Sequence, residues 1–172
     1  MNRKASAITL VFGLVAGGLA ASEKTWTGGA GDGKFSSANN WSPSGAPASG
    51  DSLRFANSAA VSAVNDLVGY SFAGITAAGS ATVTFANTGN GFTLTGDIAV
   101  TGSKELTLYV PVTLDANVTL NVSNANFYAY GAITGAGGIT VVGGKDFYAK
   151  DAVALTNGVT VNDGRLRVEK AT

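Results

Sequence analysis

A chain of 172 residues that is 45% hydrophobic and 13% charged can form one domain around a continuous apolar interior. Eleven basic residues balance eleven acidic ones, and no Lys/Arg cluster forms beyond the first four positions, which argues against nucleic acid or an anionic membrane as partner. Cysteine and histidine are both absent, so disulfides, thiol nucleophiles, Ser-His-Asp relays and thiolate or imidazole zinc sites are excluded together.

The first element is a targeting segment. Arg3 and Lys4 precede an apolar run from Ala5 to Leu19, and small residues follow at Ala20, Ala21 and Ser22. This is the order of a secretory signal peptide, read over residues 1–21, with cleavage expected after Ala20 or, as the alternative, after Ala21. The run is shorter than the roughly 20 residues needed to span a bilayer. The mature segment is therefore expected to be exported, to the cell surface or the medium, without inserting into a membrane.

Residues 22–60 form the second region. They hold both tryptophans, Trp26 and Trp41, in a run of Gly, Ser, Asn, Asp and Pro, where Asn39, Asn40, Pro43, Pro47, Gly50 and Asp51 supply turns. From Val61 onward short alternating runs recur: 82–85, 92–95, 106–114, 118–122, 139–142, 159–161 and 166–168. Each is rich in Thr, Val, Leu and Phe with a period near two, and Gly, Asn, Asp or Ser lies between them. Residues 61–172 are expected to be all-β.

A repeat decides the architecture. Sliding FYAYGAITGAGGITV, from Phe127, by twenty positions onto FYAKDAVALTNGVTV, from Phe147, aligns Phe127 with Phe147, Ile133 with Val153 and Ile139 with Val159. Earlier units place Leu106 under Phe127, Val112 under Ile133 and Val118 under Ile139, then Phe92 under Val112 and Ile98 under Val118. Three short strands per repeat of about twenty residues predict a right-handed parallel β-helix, each coil stacking on the last at ~4.8 Å. Phe127 and Phe147 are expected inside, Tyr128 and Tyr148 outside, because neighbours in a strand face opposite ways. Between Ser58 and Ala81 no clear match to the repeat is found.

Such a solenoid needs covers at its ends. Trp26 and Trp41 stand where an N-terminal cap belongs, whereas the last coil, reached at Leu166–Val168, is expected to lack one.

The sequence also carries a family resemblance. Thr25-Trp26-Thr27-Gly28-Gly29, Asn39-Asn40-Trp41 and Pro47 with Gly50-Asp51 and Phe55 resemble the opening segment of bacterial surface proteins with autotransporter-associated β-strand repeats. Ile133–Ile139 and Val159–Val168 are similar to the repeat itself, a Gly-rich turn leading to a strand with a later G-x-L. The resemblance implies a secreted or outer-membrane-tethered β-helical passenger, often an adhesin or filament, followed by an outer-membrane β-barrel. No barrel strands or terminal aromatic occur here, so the expectation is an N-terminal passenger segment of a longer protein, or a chain that uses another route and other partners.

Four chemical readings compete with a purely structural one. Gly28 to Lys34, GGAGDGK, matches G-x-x-x-x-G-K, but Phe35 replaces the Ser or Thr that would bind magnesium and no helix pattern follows, so nucleotide binding is not expected. Gly28–Asp32 falls one residue short of a calcium-binding G-G-x-G-x-D turn, which leaves Asp32 and Asp51 as candidate calcium ligands. Trp26, Trp41, Tyr128 and Tyr148 are candidate glycan contacts through their ring faces. For a polysaccharide lyase or hydrolase the best group is Lys145, Asp146, Lys150 and Asp151, but its mixed charge suits a solvated turn better than a catalytic pair. The expectation is a non-catalytic protein without a cofactor, whose partners are a host surface, a glycan or neighbouring copies.

Overall fold

The computed structural model describes residues 21–169, so the expected signal peptide, apart from Ala21, lies outside the described residues. The chain winds as a parallel β-solenoid with three sheets. The regular coils begin with β3 (Ser52–Phe55), β4 (Val61–Ala63) and β5 (Ser71–Phe72), continue through β6 (Gly74–Ala77), β7 (Val83–Phe85) and β8 (Phe92–Leu94), and then β9 (Ile98–Val100), β10 (Leu106–Leu108) and β11 (Val112–Leu114). Next come β12 (Val118–Asn121), β13 (Phe127–Ala129) and β14 (Ile133–Gly135), then β15 (Ile139–Val142), β16 (Asp146–Ala149) and β17 (Val153–Leu155), and finally β18 (Val159–Val161) and β19 (Arg165–Val168). Every third strand pairs in parallel, so β4, β7, β10, β13, β16 and β19 make one six-stranded sheet.

The matching columns of the sequence are ladder neighbours. Phe127 pairs with Phe147, Ile133 with Val153 and Ile139 with Val159. Phe127 and Phe147 are fully buried with centroids 5.4 Å apart, and Ile133 and Ile139 are buried, whereas Val153 and Val159 are only partly covered. Within the six-stranded sheet the inward pair changes from Val83 and Phe85 to Leu106 and Leu108, then to Phe127 and Ala129 and to Phe147 and Ala149. One residue grows as its neighbour shrinks, which keeps the interior filled at native density.

Two expectations are corrected. Ile98 pairs with Leu120 rather than Val118. The Asp97 carboxylate accepts the Thr119 N–H at 2.6 Å, so this side chain occupies part of the edge that Ile98 would have filled. The slip is of two residues, and since strand faces alternate with period two, it leaves Ile98 and Leu120 both inward. The run 106–114 is not one strand either: it turns a corner at Pro111, which has no N–H for a ladder but accepts Phe92 N–H through its carbonyl at 3.2 Å.

The N-terminal region is itself a shortened coil. β1 (Glu23–Trp26) extends the eight-stranded sheet in parallel on β3, β2 (Trp41–Ser42) closes that sheet antiparallel on β1, and Lys34 bridges Val64 at the end of β4. Regular stacking therefore runs through position 60 without a break. Trp26, Phe35 and Trp41 fill this coil, with the indoles edge to face at 4.9 Å and Phe35 at 5.1 Å from Trp41. At the opposite end of the described residues, β17, β18 and β19 each have a partner on one side, and Leu155, Val159 and Leu166 are half-buried while Val168 is exposed.

Candidate functional site

The Gly-rich loop is held by its own polar groups. Asn40 is fully buried on a single 3₁₀ turn; its amide oxygen accepts the Ala30 N–H at 2.8 Å, and its nitrogen donates to Asp32 at 2.7 Å and to the Lys34 carbonyl at 2.9 Å. Asp32 also accepts the Lys34 N–H and the Ser37 hydroxyl, and the Ser37 bond, followed by the Lys34 one, holds its carboxyl below the usual range. Lys34 continues into a β-bridge rather than a helix, so the GGAGDGK segment makes a turn network and offers no phosphate cradle. Asn40→Ala would orphan these donors and acceptors, and urea titration should show a loss of ~1–3 kcal/mol, whereas Asn39→Ala, whose side chain is exposed, should change little.

Asp51 performs a different task. It is buried; one oxygen accepts the backbone N–H and hydroxyl of Ser22, both at 2.9 Å, and the other accepts the Ala48 N–H at 2.9 Å. Burial pushes its carboxyl up, but these bonds together with Lys24 leave it below the ordinary value. Asp32 and Asp51 thus serve separate turns, and among the described residues no group of three or more His, Cys, Asp or Glu is arranged to hold a metal ion.

The tryptophans are corrected as glycan contacts. Trp26 is 5% exposed and Trp41 2%, and the Trp41 Nε1–H donates to the Phe35 carbonyl at 2.9 Å, so neither indole has a free face for a sugar ring. The tyrosines lie outside, as alternation predicts. Tyr128 and Tyr148 stack at 4.6 Å and 9°, and the Lys150 ammonium and Arg167 guanidinium sit 5.3 and 5.5 Å from the Tyr148 centroid. Tyr128 and Arg167 thus flank Tyr148, Tyr148 covers one face of Tyr128, and the Tyr128 hydroxyl accepts from Asn126 at 3.3 Å.

Of the four charged residues around β16, Asp146 joins two coils. Its carboxylate is 6% exposed and accepts from Arg165 Nε at 2.8 Å and Arg167 Nε at 2.7 Å, while the Tyr148 hydroxyl donates to it at 3.1 Å. Arg165, Arg167 and Tyr148, in that order against the effect of burial, hold its carboxyl at about 2, below the ordinary 3.8. Lys150 pairs with Glu169, and Asp151 accepts the N–H of the next residue, Ala152, at 2.7 Å. Three of the four residues weighed from the sequence for catalysis, Asp146, Lys150 and Asp151, are thus engaged in structural contacts, and the arginines that claim Asp146 lie nineteen and twenty-one residues on, one coil later. No protein family matches the chain, and neither a curated protein nor a solved structure does.

The sign of the pH dependence follows from the lowered value. Because Asp146 ionises more readily when folded, its stabilisation is complete above about pH 4 and is lost as the pH falls through about 2. Urea midpoints from pH 5 to pH 2 should fall less steeply in Asp146→Asn than in the wild type. Parallel curves would mean that the two arginines are held by solvent alone.

Tyr109 and Tyr130, which the repeat aligns with one another, were not among the candidate contacts read from the sequence. They stack at 4.6 Å and 20° on the outer face of the six-stranded sheet, each 41% exposed. Their twenty-one-residue spacing was the available signal, since it equals that of Leu106 and Phe127 in the same repeat.

Proposed function

We propose that the chain is a non-catalytic, exported β-solenoid that serves as a passenger or stalk segment of a bacterial cell-surface, adhesin-like protein. The observation that carries this reading is the engagement of its buried carboxylates in holding coils and turns: Asp146 ties β16 to β19, and Asp51 ties residue 22 to residue 48. Such side chains build a rod. Six rungs of one sheet at the ~4.8 Å strand spacing give a stiff body about 24 Å high between its first and last rung. The outer faces carry threonine columns, Thr93–Thr113–Thr134 and Thr119–Thr140–Thr160, which suit a broad, weak contact surface.

Among the described residues no helix is long and apolar enough to cross a membrane. Export and display are tested by producing the full chain, and a version lacking residues 1–21, in a Gram-negative host and fractionating the cells. Recovery of the full chain outside the inner membrane, shortened at Ala20 or Ala21, with the truncated version left in the cytoplasm, supports the reading. Equal cytoplasmic recovery of both overturns it.

Neighbouring copies are the second partner class. The half-buried Leu155, Val159 and Leu166 lie on the last described coil, and light scattering over a concentration series should reveal growth if they pair with another chain. Glu substitution at Leu166 should then abolish that growth.

A further inference from the structure

The Tyr109–Tyr130 pair is part of a column on the six-stranded sheet in which each coil contributes one outward residue. Tyr130 follows β13 and Tyr109 follows β10, and the strand register carries the column from Tyr109 to Ala86, the residue after β7. The Tyr109 N–H donates to the Phe85 carbonyl at 3.0 Å, which fixes this succession. Two rings are stacked, and at the next step a methyl group stands where a third ring would be.

The consequence is an open aromatic face. One side of Tyr109 is covered by Tyr130 at 4.6 Å, while its other side looks along the column toward Ala86. A groove of about 320 Å³ lies there, lined by Thr84, Ala86, Asn87 and Tyr109. Its walls combine a ring face, a methyl floor, a hydroxyl and an amide, with no charged side chain among them.

We propose that this groove binds one neutral pyranose ring of a glycan, which takes the position of a third rung on the tyrosine ladder. A pyranose has an apolar face of C–H groups and a rim of hydroxyls, so it can stack on Tyr109 while Thr84 and Asn87 hydrogen-bond its edge. The lack of charge in the lining selects a neutral hexose over a uronic or sialic acid. Tyr130 backs the platform, so the ring is already oriented before the sugar arrives. Tyr128 and Tyr148 take no part: Tyr148 lies between Tyr128 and Arg167, and the remaining side of Tyr128 looks along its column to Thr107, which is itself buried, so no groove opens there. The site depends on one face of the solenoid and is independent of where the chain is delivered.

Saturation-transfer NMR on the full chain tests this with methyl β-glucopyranoside, methyl β-galactopyranoside and cellotetraose, each at about 10 mM, a concentration suited to millimolar affinity. At least one should receive saturation on the C–H protons of a single ring face. Tyr109→Ala should weaken that binding by about ten-fold or more. Ala86→Tyr, which adds the third ring, should abolish it while keeping or raising the thermal midpoint, and Tyr128→Ala should leave it unchanged. The proposal is overturned if none of the three sugars receives saturation, or if the transfer survives in Ala86→Tyr.

Discussion

Replacing Gly96 with alanine is expected to destabilise the protein by roughly 3 kcal/mol or more. Gly96 lies at the corner between β8 and β9, directly over the corner between β5 and β6, and a Cβ there would stand 1.9 Å from the Ala73 carbonyl oxygen. Real Cβ contacts do not fall below 3.0 Å, so the two coils would have to separate locally by about 1 Å. That movement would stretch the flanking bonds, Thr95 N–H to the Phe72 carbonyl and Ile75 N–H to the Asp97 carbonyl, both 3.0 Å. The cause is closeness between coils and not backbone conformation, which a control separates. Gly69 has φ +72° and open space where a methyl group would stand, so Gly69→Ala should cost only the left-handed penalty of about 1–2 kcal/mol. Urea denaturation of both variants checks the contrast, and equal losses would show that the corner adapts.

Phe85→Ala is the second large effect, an expected loss of ~3–5 kcal/mol. Phe85 is fully buried, and its ring lies 5.2 Å from Phe35, 5.3 Å from Phe55 and 6.0 Å from Phe92. Through Phe35 and Phe55 the same ring reaches Trp26 and Trp41, so its removal leaves a cavity where the N-terminal coil meets the regular ones. Rigid aromatic walls on several sides collapse poorly, which places the cost high in the usual range. Phe147→Ala should fall lower in that range, because its ladder neighbour Leu166 is only half-buried and the site can relax toward solvent. Thermal or urea unfolding ranks the two, and near-UV circular dichroism should show the tryptophan signal disturbed by Phe85→Ala and spared by Phe147→Ala.

The difference between these two phenylalanines also shows how the candidate surface sites depend on stacking order. Tyr148 and Tyr109 have similar sequence surroundings, each close to the end of an FYA-like or LTLY run. In the structure one ring is sandwiched and the other has an open side, because the next residue along the first column is Arg167 and along the second Ala86. Searching for tyrosines on outward positions therefore finds the outer face of this sheet but a different column, since Tyr128 and Tyr130 lie on one coil. For the tryptophans the sequence offered two readings, cap and glycan contact; the loop folds back through Asn40 and buries both indoles, which fits the cap and removes the glycan contact.

Period-two alternation and a repeat of about twenty residues determined, from the sequence alone, that the chain is an all-β parallel solenoid, that Phe127 and Phe147 lie inside, and that Tyr128 and Tyr148 lie outside. These properties are local in sequence or recur along it, and stacking turns each recurrence into a ladder contact. The first coil between Ser58 and Ala81 escaped because its strands are short and built largely from Ser, Ala, Gly and Val, whose place is set by pairing with β7, β8 and β9. Only the tertiary structure decided the two-residue slip at Ile98, the pairing of Asp146 with arginines one coil later and the open face of Tyr109. Each of these depends on which residue of the next coil comes to lie alongside, and corner lengths that vary from coil to coil set that register.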